Sequence, residues 1–111
     1  MYSTTSRYVK TTNTRVQTVL NGTDLNKYSD KHIKAIFLAN GTNRTLKVSC
    51  YIQGEDGLDY YIFPKNLIME PGDSQSAIQK ALPLNNGDKI MFQSNPKGAE
   101  CSVIIDYDAQ M

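Results

Sequence analysis

The sequence predicts an all-β fold: an antiparallel β-sandwich, jelly-roll or immunoglobulin-like, with seven to eight strands and little helix. All seven glycines stand where a turn is expected, three of them directly after asparagine. Runs of about 6–10 residues, several of them alternating apolar and polar, lie between these turns. No helical pattern of about 10–15 residues separates two runs, so parallel crossovers are not expected.

The first segment, residues 1–13, is predicted as an N-terminal arm or a first strand, ahead of a single β-sandwich domain at 14–111. It is rich in Thr and Ser and has little apolar area of its own. Such a segment suits an assembly element that pairs with an exposed strand on a neighbouring subunit. The alternative, which the sequence leaves open, is the first strand of its own sheet. The candidate contacts of the arm are Tyr2, Arg7, Tyr8 and Lys10.

Strands are predicted at 14–20, 32–39, 44–53, 60–63, 67–69, 89–94 and 101–107. The first of these places Val16, Thr18 and Leu20 on one face. The second is apolar enough for a central strand, and the Asn40-Gly41 step after it predicts a hairpin. Segment 74–82 is ambiguous, because Asp73 or Ser74 could cap one or two helical turns there.

The alternating runs predict a core in which every second residue is buried. Its members are Leu46, Val48, Cys50, Ile52, Ile90, Phe92, Val103 and Ile105. The two cysteines, Cys50 and Cys101, both fall on apolar positions and are predicted as buried free thiols. A disulfide between them is the alternative, which a cytoplasmic origin argues against.

Composition excludes several partners and places. At 111 residues the chain is one domain, and its net charge of +1 gives no reason to expect nucleic acid or an anionic membrane surface. No apolar run approaches the ~18–20 residues of a membrane helix. The N-terminus lacks the apolar core of a signal peptide, so synthesis and use in a cytoplasm are expected.

No catalytic residue, metal site or cofactor is predicted, and the chain is not expected to be an enzyme. His32 is the one histidine, and no nucleophile elbow accompanies it. The acids Glu55, Asp56 and Asp59 lack the fixed pattern of oxygen ligands that a calcium loop needs. Three Asn-x-Thr sequons are interpreted as turn chemistry and not as glycosylation sites.

Tyr51, Tyr60 and Tyr61 form an aromatic group near one loop and are candidate interface or ligand contacts. Exposed aromatic side chains are enriched at protein interfaces and stack on sugars. Acidic residues accompany this group, whereas a nucleic-acid platform would have basic ones.

The stretch from His32 to Tyr107 resembles small β-sandwich virion proteins of tailed bacteriophages, over about two thirds of the chain. The resemblance is carried by the strand–turn–strand run Ile36–Val48, Tyr60-Tyr61-Ile62, Glu70-Pro71-Gly72-Asp73-Ser74, Leu84–Ile90 and Cys101–Tyr107. It implies an accessory part of the head, neck or tail that assembles in many copies. It brings no family active site.

The leading functional hypothesis is therefore a non-enzymatic virion structural protein, made in the cytoplasm of a bacterial host. Its expected partners are copies of itself and other virion proteins, with neither nucleic acid nor membrane among them. The alternative is a carbohydrate- or protein-binding module whose aromatic loop holds a ligand.

Overall fold

The structure is a computed structural model that describes residues 2–23 and 31–108. Within these ranges it contains nine β-strands and no helix. The strands are β1 (Tyr2–Lys10), β2 (Gln17–Asn21), β3 (Lys31–Asn40), β4 (Leu46–Gln53), β5 (Asp59–Tyr61), β6 (Leu67–Met69), β7 (Ser74–Pro83), β8 (Lys89–Asn95) and β9 (Ala99–Asp108).

The strands form two sheets that face each other across the core. The front sheet has the order β1-β9-β3-β7, and the back sheet has the order β2-β8-β4-β5, with β6 also paired to β4. All described pairings are antiparallel. Apart from the step from β4 through β5 to β6, each connection carries the chain from one sheet to the other. This is the topology of a jelly roll. The predicted β-sandwich is therefore confirmed, and of its two predicted forms the structure has the jelly roll and not the immunoglobulin-like one.

Two segments that the sequence left ambiguous are both strands, which raises the count from the predicted seven or eight to nine. The first is β1, which pairs with β9 along its whole length, from Tyr2 opposite Asp108 to Lys10 opposite Glu100. Its end is fixed in the core, because the buried Thr11 hydroxyl lies 2.6 Å from the Ser94 hydroxyl. Residues 2–10 therefore pair within their own subunit; a role of this segment in assembly stays a prediction.

The second is β7, where one or two helical turns were considered. Residues 74–83 instead pair with β3, with Ser74 opposite Ala39 and Pro83 opposite His32. The Asp73 carboxylate does not cap a helix; it accepts the backbone amide of Glu70 at 2.7 Å and closes the turn before β7. The free edge of β3 supplies the main-chain partners, and this tertiary pairing outweighs a weak local capping signal.

The predicted hairpin at Asn40-Gly41 is wrong. β3 lies in the front sheet and β4 in the back sheet, so the two strands flanking this turn do not pair. The turn is a corner between sheets, and the buried Asn40 side chain holds it. Its amide donates to the Arg44 carbonyl at 2.7 Å and the Met69 carbonyl at 2.9 Å, and its oxygen accepts the Thr42 amide and hydroxyl.

Two of the sequons show the turn chemistry that the sequence predicts. Thr42 donates its amide and hydroxyl to the Asn40 side chain, and Thr23 donates both groups to Asn21 in the same way. Each threonine therefore closes a short turn on the asparagine two residues before it.

The predicted core is confirmed, because all eight of its members are buried in one cluster between the sheets. Cys50 and Cys101 are buried free thiols, as predicted. They belong to opposite sheets, and a hydrogen bond to Cys50, together with burial, raises the pKa of the Cys101 thiol.

One predicted face is wrong. In β2 the register with β8 shifts between Thr18 and Leu20, so Val19 and Leu20 are both buried while Val16 and Thr18 are exposed. A β-bulge of this kind breaks the period of two, and the sequence gives no local sign of it.

We predict that Asn40→Asp destabilises the protein by about 3–5 kcal/mol. The substitution removes both donors from two main-chain carbonyls and buries a carboxylate without a cationic partner. Urea denaturation measures the loss. Asn43→Asp, at an exposed position of the same turn, is the control and should change stability by no more than about 0.5 kcal/mol. A loss below about 1 kcal/mol for Asn40→Asp would contradict the role of Asn40 as the corner residue.

Candidate assembly surfaces

The sandwich has two lateral sides, where its sheets end in strands that lack a second neighbour within the described chain. We call one the β1 side; it comprises residues 2–23, with β1, β2 and their link. We call the other the β7 side; it comprises residues 54–88, with β5, β6, β7 and their turns. Both lateral sides expose strand edges, which are open to pairing with another chain.

Large exposed apolar side chains of the described residues concentrate on these two sides. Phe37, in the middle of the front sheet, is the exception. The β1 side carries Tyr8 and Val16, and the β7 side carries Leu58, Tyr60, Tyr61, Ile68 and Leu82. Tyr8 is 75% exposed, and Leu58 and Ile68 are each nearly 60% exposed. Single exposed apolar residues are normal on a protein, but a group along one side indicates a contact surface.

The apolar group on the β7 side includes a cleft of about 400 Å³ between the ends of the two sheets. Its lining includes Tyr60 and Tyr61 from the back sheet, Leu82 and Pro83 from the front sheet, and Asp88. The cleft forms here because β5 is three residues long and leaves the end of β7 uncovered.

Tyr60 is held in the cleft by an acidic loop. Its hydroxyl donates to the Asp56 carboxylate at 2.8 Å, and Asp56 also accepts the Leu58 amide at 2.9 Å. The Leu58 amide, and after it the Tyr60 hydroxyl, lower the pKa of Asp56. The same carboxylate raises the pKa of Tyr60. This arrangement fixes the Tyr60 ring while half of the side chain remains exposed.

The other two aromatic candidates lie on the outer face of the back sheet. Tyr51 and Tyr61 are opposite each other on β4 and β5, with ring centroids 5.0 Å apart. Burial, and then the charge of Asp59, raise the pKa of Tyr51. The Lys65 ammonium lies 5.9 Å from the Tyr61 ring centroid. The structure thus separates the predicted group: Tyr51 and Tyr61 form a pair, and Tyr60 is oriented by Asp56.

The candidate contacts on the N-terminal segment are divided by the alternation of β1. Tyr8 and Lys10 are exposed, whereas Arg7 is half-buried and donates to its own neighbours, the Thr5 hydroxyl and the Ser6 carbonyl. Tyr2 begins the strand, with its backbone opposite Asp108. Tyr8 and Lys10 are therefore the arm residues best placed to meet another molecule.

Metal ligation and the single histidine are the remaining candidate features of the described residues. No three His, Cys, Asp or Glu side chains among them group in a way that could hold a metal ion. His32 is half-buried on β3, with Asp106 as its cross-strand neighbour. Across residues 2–23 and 31–108 there is also no helix that could cross a lipid bilayer.

Sequence reasoning missed the apolar residues Val16, Leu58 and Ile68 as candidate contacts. Leu58 directly follows a Gly in a polar loop, where side chains are usually exposed. Its exposure could therefore have been predicted from the sequence. The exposure of Val16 and Ile68 depends on the bulge in β2 and on the edge position of β6, which no local pattern shows.

The sequence matches no known family model and no curated protein. Solved structures do match. A capsid structure of the Helicobacter pylori bacteriophage KHP30 aligns with a TM-score of 0.59 and 11% identity, over 98% of this chain and 89% of that one. The virus-like particle of the Macrobrachium rosenbergii extra small virus aligns at 0.52 and 8% identity, over 100% and 80%.

A domain of a Drosophila protein also matches. The nucleoplasmin-like N-terminal domain of Drosophila FKBP39 aligns with a TM-score of 0.52 and 15% identity, over 100% of this chain and 94% of that one. At these identities the likeness shows a shared fold.

We predict that Tyr60→Phe raises the pKa of Asp56 from its lowered value towards that of an ordinary aspartate. Because the folded pKa is lowered, ionised Asp56 stabilises the loop above its unfolded pKa, and this is lost as the pH falls through the folded pKa. Removal of the Tyr60 hydroxyl makes the stability of the loop depend less on the ionisation of Asp56. A titration followed by NMR at the Asp56 carboxyl carbon measures the shift. Tyr61→Phe, which leaves the hydrogen bond in place, is the control; an unchanged Asp56 pKa in Tyr60→Phe would contradict the assignment.

Proposed function

We propose that this protein is a non-enzymatic structural protein of a bacteriophage virion, which assembles in multiple copies on the head, neck or tail. The observation that carries the proposal is the group of five exposed apolar residues along the β7 side of a jelly roll, together with exposed Tyr8 and Val16 on the β1 side. A protein that works alone gains nothing from two such sides, whereas a subunit with neighbours on both sides buries them.

Three further points support the proposal. The fold is shared with a phage capsid structure over nearly the whole chain. The motifs between His32 and Tyr107 resemble those of small tailed-phage virion proteins. The front-sheet edges β1 and β7 lack a second neighbour within the described chain, so each is open to pairing with another subunit. Its partners are copies of itself and other virion proteins, and it is made in the host cytoplasm before it joins the virion.

A carbohydrate- or protein-binding module is the second candidate, and the cleft beside Tyr60 favours it. A half-exposed tyrosine ring that is held by a carboxylate, in a cleft lined by Ile52, Leu82 and Pro83, is an arrangement that suits a sugar ring or a peptide side chain. In this case the cleft on the β7 side would hold a ligand and not a neighbouring subunit.

We predict that the purified protein associates with copies of itself. Light scattering after size-exclusion chromatography measures the mass, and negative-stain electron microscopy shows whether the oligomers are rings, filaments or shells. The oligomeric fraction should rise with protein concentration, as mass action requires. A strict monomer at every concentration would contradict the proposal.

The second candidate makes a different prediction. A glycan or peptide ligand should shift the NMR signals of Tyr60 and Leu82 in the monomer, and Tyr60→Ala should abolish the shift. Tyr8→Ala, on the opposite lateral side, is the matched control and should leave it intact. If no ligand in a broad glycan and peptide panel shifts these signals, the module hypothesis is rejected.

A further inference from the structure

We infer that the two lateral sides bind each other: the β1 side of one copy docks on the β7 side of the next, and β1 pairs with β7 to continue the front sheet. The inference rests on the proposed function and names its interface. The occupant of each lateral side is a second copy of this chain.

The direction of the strands allows this pairing. β1, β9, β3 and β7 alternate in direction, so β1 and β7 run opposite ways at the two edges of the front sheet. When a second copy is rotated about an axis parallel to the strands, each of its strands keeps the same direction as in the first copy. Its β1 therefore lies antiparallel to the β7 of its neighbour, and the alternation continues across the boundary.

The register brings matching ends together. Lys10, Glu100, Ala39 and Ser74 are cross-strand neighbours in one row of the front sheet. The end of β1 and the start of β7 are therefore at the same end of the sandwich. With nine and ten residues, the two strands also match in length.

The two lateral sides carry opposite charge. Among residues 2–23, the charged side chains are three basic ones and no acidic one: Arg7, Lys10 and Arg15. Residues 54–88 hold six acidic and two basic side chains; the acids are Glu55, Asp56, Asp59, Glu70, Asp73 and Asp88. In the matched register, Lys10 and Arg15 of one copy lie at the same end as Glu70 and Asp73 of the next. Such complementarity selects this contact over like-with-like pairing.

Apolar residues match at the same end. Val16 immediately precedes β2 on the β1 side, and Ile68 lies in β6 on the β7 side, where it pairs with Lys47. Both belong to the back-sheet layer and both are exposed. Docking buries Val16 against the Ile68 region, while Tyr8 extends the outer row of the front sheet that contains Phe37 and Ser76.

Because the two surfaces differ, the contact is heterologous. Repetition of one rotation closes the copies into a ring, or extends them into a filament where the rotation does not close. In either form each copy has both edges of its front sheet paired, apart from those at the ends of a filament.

Charge reversal tests the inference, with self-association measured by sedimentation velocity at low salt. One variant is Lys10→Glu/Arg15→Glu. The other is Glu70→Lys/Ser74→Lys, which spares Asp73 because its carboxylate closes the turn. Each variant alone should associate at least about tenfold more weakly than the wild type. Their equimolar mixture should recover the wild-type affinity, because each reversed side then meets an opposite charge on the other variant.

The control is Lys34→Glu, which reverses an exposed charge on β3, a strand with a neighbour on both edges, and should associate like the wild type. Hydrogen exchange supplies a second readout: the amides of β1 and β7 should exchange more slowly in the oligomer than in dilute monomer. Circular dichroism verifies that every variant is folded.

Five results would contradict the inferred interface or the proposed function. If both charge-reversal variants associate like the wild type, the inferred interface is wrong and the proposed function still stands. The same holds if their mixture does not regain the wild-type affinity. Loss of association in the Glu70→Lys/Ser74→Lys variant alone indicates pairing of β7 with β7 and also overturns it. Unchanged exchange of the β7 amides excludes strand pairing. A wild type that never associates overturns the proposed function, and the inference with it.

Discussion

Asn40 joins three parts of the chain at the corner where the front sheet passes to the back sheet. Its side chain makes four hydrogen bonds, to the turn at 42–44 and to the end of β6, and its backbone amide and carbonyl bond to Asp73 and Gly72. A buried amide that satisfies both its donors and its acceptor is specific to one geometry, because any displacement leaves a polar group unpaired. This one residue therefore sets where β4 begins and where β7 starts.

The position of β7 follows from that corner and has consequences at the surface. The Asn40 backbone holds the 70–73 turn, and β7 then runs along the free edge of β3. It ends beside the short β5, where the two sheets no longer cover each other and the Tyr60 cleft opens. The candidate surface on the β7 side is therefore built by the same contacts that close the fold.

The sequence predicted the interior well and the edges poorly. Alternation located Val48, Cys50 and Phe92 in the core because both sheets bury one face, and a period of two is unambiguous there. The corner at Asn40 was predicted as a hairpin, since a turn looks alike whether the next strand pairs or changes sheet. β7 was ambiguous because its partner is an edge distant in sequence. The candidate site depends on edges, so Val16 and Ile68 were missed while Tyr60 and Tyr8 were found.

The two edges of the front sheet differ in how they are protected. β1 carries Arg7 and Lys10, and charged residues on an edge strand oppose unspecific pairing. β7 has one charged residue in ten and is long, which natural edge strands generally avoid. A partner of opposite charge would offset the charge of β1, and the turn directly before β7 carries the acids Glu70 and Asp73. The interface that we infer pairs these two edges, so that each copy would supply the strand that covers the next.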